Sequence, residues 1–239
     1  MKKSSKIIMI MVAVLLTFTL LSSCLVSSTM AKYVITKDAT TVVSLKKFGV
    51  KLAIKTGTDF SNSGATINPT TPNDSTVSAT VTVPLVPGYD YKDIIQFVPS
   101  KDTTADSVSV ATNIKIKAEV TSISGTYDSK YYIPTDVYVN GSVTDVAFTS
   151  NTDVDTLKNS LLTAINTLLT SKVGAAVDGY YTTSLAAKGA TSIDSGKTIK
   201  IGYKCPLTST RANDTVMTAI GDSGPSVTIK YTVSLEQAS

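Results

Sequence analysis

Histidine and tryptophan are absent from this chain of 239 residues, and glutamate occurs only at Glu119 and Glu236. The missing histidine removes the most chemistry. Without an imidazole there is no Ser-His-Asp or Cys-His nucleophile pair, and no His-ligated zinc site of the H-E-x-x-H kind. With two glutamates, a glycosidase would have to rely on aspartate pairs. Most of the aspartates stand in turn contexts, such as Asn73-Asp74, Asp178-Gly179 and Gly221-Asp222, where they cap turns and solvate loops. Asp153-Val154-Asp155 begins like a calcium-binding loop, but Leu157 breaks the series and no Gly or late Glu follows. There is no Gly-rich phosphate loop. The sequence thus points to no catalytic residue, no metal ligand and no cofactor, and the expectation is a protein that is not an enzyme.

What is present begins at the first residue. Lys2, Lys3 and Lys6 precede a nearly unbroken apolar run from Ile7 to Leu21. Small and polar residues follow, ending in Thr29-Met30-Ala31, which places small side chains three residues and one residue before a cut. That order predicts an export signal over residues 1–31, cleaved between Ala31 and Lys32. The apolar run is short for a membrane span, which needs about 20 residues. An alternative lies in Leu21-Ser22-Ser23-Cys24, which has the form of a lipobox. Lipidation at Cys24 would hold the chain on a membrane, whereas cleavage after Ala31 releases it. The membrane is expected to be a partner only through the uncleaved signal or that lipid.

Cleavage after Ala31 leaves 239 − 31 = 208 residues, enough for one sizeable domain over 32–239. The signal removes three lysines and no acids, so the net charge falls from +4 to +4 − 3 = +1. A body this close to neutral argues against a nucleic-acid partner. It also retains a single cysteine, Cys205, which cannot form an internal disulfide.

The body alternates. Phe48, Val50, Leu52 and Ile54 fall at period two, as do Val77, Ala79, Val81, Val83 and Leu85. The same holds for Ile114, Ile116, Ala118 and Val120, and for Val227, Ile229, Tyr231, Val233 and Leu235. Each is the pattern of a half-buried strand. Shorter strands are expected over Asp93–Val98, Tyr131–Val139, Val143–Thr149 and Thr198–Tyr203. Asn140-Gly141 predicts a two-residue hairpin, because a type I′ turn needs positive φ at both centres. From Val154 the period changes. Leu157, Leu161, Leu162, Ile165, Leu168 and Leu169 have helical spacing, with Asn151, Thr152 or Asp153 as the cap and Gly174 as the stop. This predicts one amphipathic helix over about 154–171, with one stripe against a sheet. Gly57–Ser75 and Tyr203–Ser226 read as loops. The whole predicts an all-β fold, a two-sheet antiparallel sandwich of jelly-roll type with one helix.

Several short motifs, in order, resemble a known family. Ser28-Thr29-Met30-Ala31-Lys32-Tyr33 is similar to signals cut by the SipW-type signal peptidase. Leu85-Val86-Pro87-Gly88-Tyr89 and then Ile94-Ile95-Gln96-Phe97 resemble the Pro-Gly turn and following strand of the TasA/camelysin family. Asp214–Gly221, the strand Val227–Leu235 and Glu236-Gln237 resemble its ending. The resemblance implies a jelly roll, export, processing by a SipW-type peptidase, and self-assembly into biofilm-matrix fibres outside a Gram-positive cell. It also implies a mature N-terminal segment that adds as a strand to the next subunit. A protease activity has been described for camelysin, but without histidine or a recognisable zinc site it is not carried over. In this chain the candidate donor strand is Tyr33, Val34, Ile35 and Thr36, followed by Val42 and Val43, within an N-terminal strand segment over 32–45. Such a segment gains main-chain hydrogen bonds at an exposed edge while alternate side chains fill pockets. The opposing expectation is that residues 33–45 pair within their own sheet. The competing function is a monomeric cell-surface binding module or adhesin, anchored at Cys24.

Overall fold

The structure, a computed structural model, describes residues 41–45, 49–73, 75–85, 88–124, 136–145, 153–205 and 226–238. Phe48 and residues 206–225 of the second expected loop fall outside that set. Twelve strands form two sheets of six. In chain order they are β1 (Thr41–Leu45), β2 (Val50–Thr56), β3 (Thr66–Asn73), β4 (Thr76–Pro84), β5 (Asp90–Lys101), β6 (Thr112–Ser124), β7 (Asp136–Val139), β8 (Ser142–Asp145), β9 (Ala176–Val177), β10 (Tyr180–Ala186), β11 (Ile199–Lys204) and β12 (Ser226–Gln237). One helix, α1 (Val154–Lys172), lies between β8 and β9. The first sheet runs β1-β2-β5-β11-β7-β8 and the second β3-β4-β12-β6-β10-β9. Every ladder is antiparallel. The chain passes repeatedly from one sheet to the other, and its last strand inserts between β4 and β6. The fold is therefore the expected two-sheet, jelly-roll-like sandwich with one helix.

The alternating residues meet between the sheets. Val77, Ala79, Val81 and Val83 of β4, Ile114 and Ile116 of β6, and Ile229, Tyr231 and Val233 of β12 are all buried, with Val50, Leu52 and Ile54 of β2 in the same core. Apart from the buried Ala53 and Ser78, their intervening neighbours are Thr and Lys, which suit a pleated face turned to water. Two parts depart from the sequence expectation. Gly57–Ser75 is not all loop, because it contains β3, whose Pro69 and Pro72 obscured it. Proline is tolerated there since β3 is the last strand of its sheet. The strand β10 lay in a stretch with no recognised pattern.

Helix α1 starts where Asp153 caps it. The Asp153 carboxylate accepts from Thr156 N at 2.8 Å and from Thr156 Oγ1 at 2.7 Å. Those two bonds hold the carboxyl below its ordinary pKa. A depressed carboxylate contributes stability above its unfolded pKa and loses it as pH falls through the folded one. Acidification should therefore fray the first turn, and in Asp153→Ala the helical circular-dichroism signal should lose that acid dependence. Leu157, Leu161, Ala164, Ile165, Leu168 and Leu169 form the buried stripe. It packs against β6 of one sheet and β7 and β8 of the other, rather than on one sheet as expected. The helix thus fills the space between the sheets on the β7–β8 side.

One buried polar contact ties the two sheets together. Tyr203 of β11 and Tyr231 of β12 meet hydroxyl to hydroxyl at 2.6 Å, linking the sheets. Burial, with the neighbouring phenol second, raises the Tyr203 pKa well above its ordinary value; burial does the same for Tyr231. Because the folded state holds these protons, their contribution is intact below the unfolded phenol value of about 10 and falls as pH rises beyond it. Tyr231→Phe should cost about 1–3 kcal/mol by leaving the Tyr203 hydroxyl without its partner. The double change with Tyr203→Phe should cost less than the sum of the singles, measured by denaturant melts.

Candidate functional site

The candidate site is the set of sheet edges, since the expected chemistry is strand addition. Among the described residues the edge strands are β1 and β8 in the first sheet and β3 and β9 in the second. Strand β1 pairs with β2, with Thr41 opposite Ile54, Val43 opposite Leu52 and Leu45 opposite Val50. Val42 lies opposite Ala53. Val42 and Val43, expected as the end of a donor strand, are therefore paired within their own chain. This is a correction: the β-prone run Thr41–Leu45 finds a complementary edge four residues later, and the short connection favours the local partner. Tyr33, Val34, Ile35, Thr36, the cut between Ala31 and Lys32, and Cys24 lie outside the described residues.

The opposite edge of the same sheet is built from a hairpin. Asn140 has φ +48° and Gly141 φ +77°, so both adopt the left-handed conformations a type I′ turn requires. The Asn140 side chain accepts from Lys200 N at 2.8 Å, tying the turn to β11. In a two-residue hairpin the closing pair, Val139 and Ser142, is hydrogen-bonded, and the next pair, Tyr138 and Val143, is not. The backbone N–H and C=O of Val143 therefore point away from β7. Its side chain is 46% exposed. At the open end of the hairpin Asp136 stands opposite Asp145.

The base of this hairpin is rigid. Tyr138 lies opposite Gly202 of β11, and its hydroxyl donates to Asp90 Oδ1 at 2.9 Å. A Cβ on Gly202 would come within 2.2 Å of the Tyr91 carbonyl oxygen. Gly202→Ala should therefore displace β5 from β11 and lower the melting temperature by several degrees, measured by thermal denaturation. The hairpin itself was legible from Asn140-Gly141. That β8 would be an edge was not, because nothing in Ser142–Asp145 says whether a further strand follows it.

Two aspartates hold loops in place. Asp102, 1% exposed, binds Lys51 Nζ at 2.9 Å and accepts from Thr104 N and Oγ1, each at 2.9 Å, closing the loop after β5. Asp59 accepts from the backbone N–H groups of Lys92 and Asp93. Among the described residues no group of three or more His, Cys, Asp or Glu side chains could hold a metal ion, and no helix is long and apolar enough to cross a membrane. Cys205 is buried. Comparisons with family models, with curated proteins and with solved structures give no match for this chain.

Proposed function

We propose that this chain is an exported structural subunit that polymerises head to tail into extracellular matrix fibres by N-terminal strand addition. The observation that carries the proposal is the position of β1. Among the described residues it is the first strand in the chain and the outermost strand of its sheet. Lys32-Tyr33-Val34-Ile35-Thr36 is β-prone and lies directly upstream. While the signal is attached that segment is tethered; cleavage after Ala31 frees it to pair. With Val42 and Val43 engaged at home, the donor is the stretch Tyr33–Thr36. The order of TasA/camelysin-like motifs and the signal-like residues 1–31 support the same reading. Strand addition needs no cofactor, and its partners are other copies of this chain and the signal peptidase that releases it.

Microscopy of the secreted protein, with intact mass on the same sample, tests the proposal. The expected result is fibres built of a chain starting within two residues of Lys32. A monomer carrying a diacylglyceryl group on Cys24 would instead establish the anchored binding module.

A further inference from the structure

Strand β12 fills a slot one strand wide between β4 and β6 and pairs along both of its margins. Its buried side chains, Val227, Ile229, Tyr231, Val233 and Leu235, close the core beneath. We infer that this slot also accepts β12 of a second copy, so that two copies complete each other's second sheet. The inference goes beyond the proposed N-terminal addition and uses none of its residues. Its first support is the length of the connection that precedes β12. Gly88 N donates to the Cys205 carbonyl at 3.0 Å, and Ser226 pairs with Pro84. Pro84 and Gly88 are close in sequence, so the two ends of the connection lie at most about 30 Å apart. The connection, residues 206–225, has 225 − 205 = 20 residues and can extend over roughly 70 Å. A link so much longer than its span does not dictate which copy β12 joins, the condition under which identical elements exchange between subunits.

The second support is the address that β12 carries. Opposite charges face each other across its ladder with β6 at Lys230 and Glu119, and Lys115 Nζ lies 2.5 Å from Glu236 Oε2. On the β4 side Ser78 Oγ donates to Thr232 Oγ1 at 3.2 Å, and the Thr82 and Thr228 hydroxyls meet at 3.1 Å. The ladder with β6 shifts register between Thr228 and Ile229, so a guest must match that irregularity as well. A one-residue slip would turn every buried side chain outward. These features select β12 over an unrelated strand, and they are the same in every copy. The occupant is therefore β12 itself, from its own chain or from another. A flexible connection gives the resident strand an effective concentration in the mM range. Pairing within the chain prevails in dilute solution, and exchange gains where copies crowd together before their sheets close.

Mixing two variants of the mature chain tests the exchange. Thr80 and Lys230 stand opposite each other on the β4–β12 ladder. Their Cα atoms are therefore about 4.5–5.5 Å apart, within reach of a disulfide. Thr80→Cys and Lys230→Cys chains, unfolded together in reductant and refolded at about 1 mM before oxidation, should run as covalent dimers on a gel without reductant. The dimer fraction should fall several-fold when the mixture is refolded at a concentration about a hundredfold lower. Either variant refolded alone should give no dimers and controls for Cys205, which all samples share. A chain with both changes should bridge internally in dilute solution; failure to do so would overturn the register on which the inference rests. No dimers from the concentrated mixture, beside a bridged double variant, would overturn the exchange and leave N-terminal addition standing. Equal dimers from a mixture never unfolded would mark collision of surface thiols and overturn it too.

Discussion

Deletion of residues 32–37 from the mature chain is expected to leave a folded, soluble monomer and to abolish fibres. These residues precede Thr41–Leu45, the first strand among the described residues, which the deletion retains. The far-ultraviolet circular-dichroism spectrum and the denaturant midpoint should therefore stay near those of the intact chain, while electron microscopy shows fibre formation lost. Extending the deletion to residue 45 should behave differently. It strips β1 from β2 and leaves the outer backbone groups of Val50–Thr56 unpaired, an edge prone to association with other chains. Aggregation of the longer deletion with good behaviour of the shorter one is the expected contrast. Normal fibres from the shorter deletion would refute strand donation. Ile35→Pro should reproduce the shorter deletion's effect, because proline removes a ladder donor within the added strand.

The second large effect is in the core. Ile116 is fully buried in the middle of the second sheet, opposite Tyr181 on β10 and Val233 on β12. Ile116→Ala should cost about 2–5 kcal/mol, the transfer term for the lost atoms plus the cavity they leave. Against a total stability of about 5–15 kcal/mol that is a large fraction. For a domain of this size each kcal/mol lowers the melting temperature by roughly 2–4 °C. Lys117→Ala, one residue along on the exposed side of the same strand, should be near neutral. Similar losses from both changes would mean that the strand's two faces are equivalent, contrary to the alternating burial of β6.

The contrast between Ile116 and Lys117 also explains what was legible. A strand with one dry and one wet face writes its register into the chain at period two, and β2, β4, β6 and β12 all do so. Helix α1 was equally plain, because its buried residues repeat at three and four. Strand β3 was hidden because an edge needs little apolar surface, and Ile67 is its one buried residue among threonines, asparagines and prolines. Strand β10 was obscured by a register shift between Ser184 and Ala186, which breaks the alternation at its end. The order of strands across each sheet is set by pairings distant in sequence, which local patterns do not record. The candidate donor shows the same limit. Thr41–Leu45 has the composition of a strand, but composition does not say whether the partner strand belongs to its own chain or another.

Where β12 sits has a consequence for the timing of folding. Ser226–Gln237 lies between β4 and β6, pairing across about a hundred or more residues on either side. Until that strand has been made, β4 and β6 have no common partner and the second sheet exists only as separate pieces. Contacts this distant are slow to form, because loop-closure entropy precedes their reward. A nascent chain would therefore keep its second sheet open until then, which suits the export proposed above. Closure of the second sheet would await β12, which on the proposed export follows the N-terminal segment across. The segment proposed to join one subunit to the next would thus be outside, and exposed to its peptidase, before its own sandwich closes.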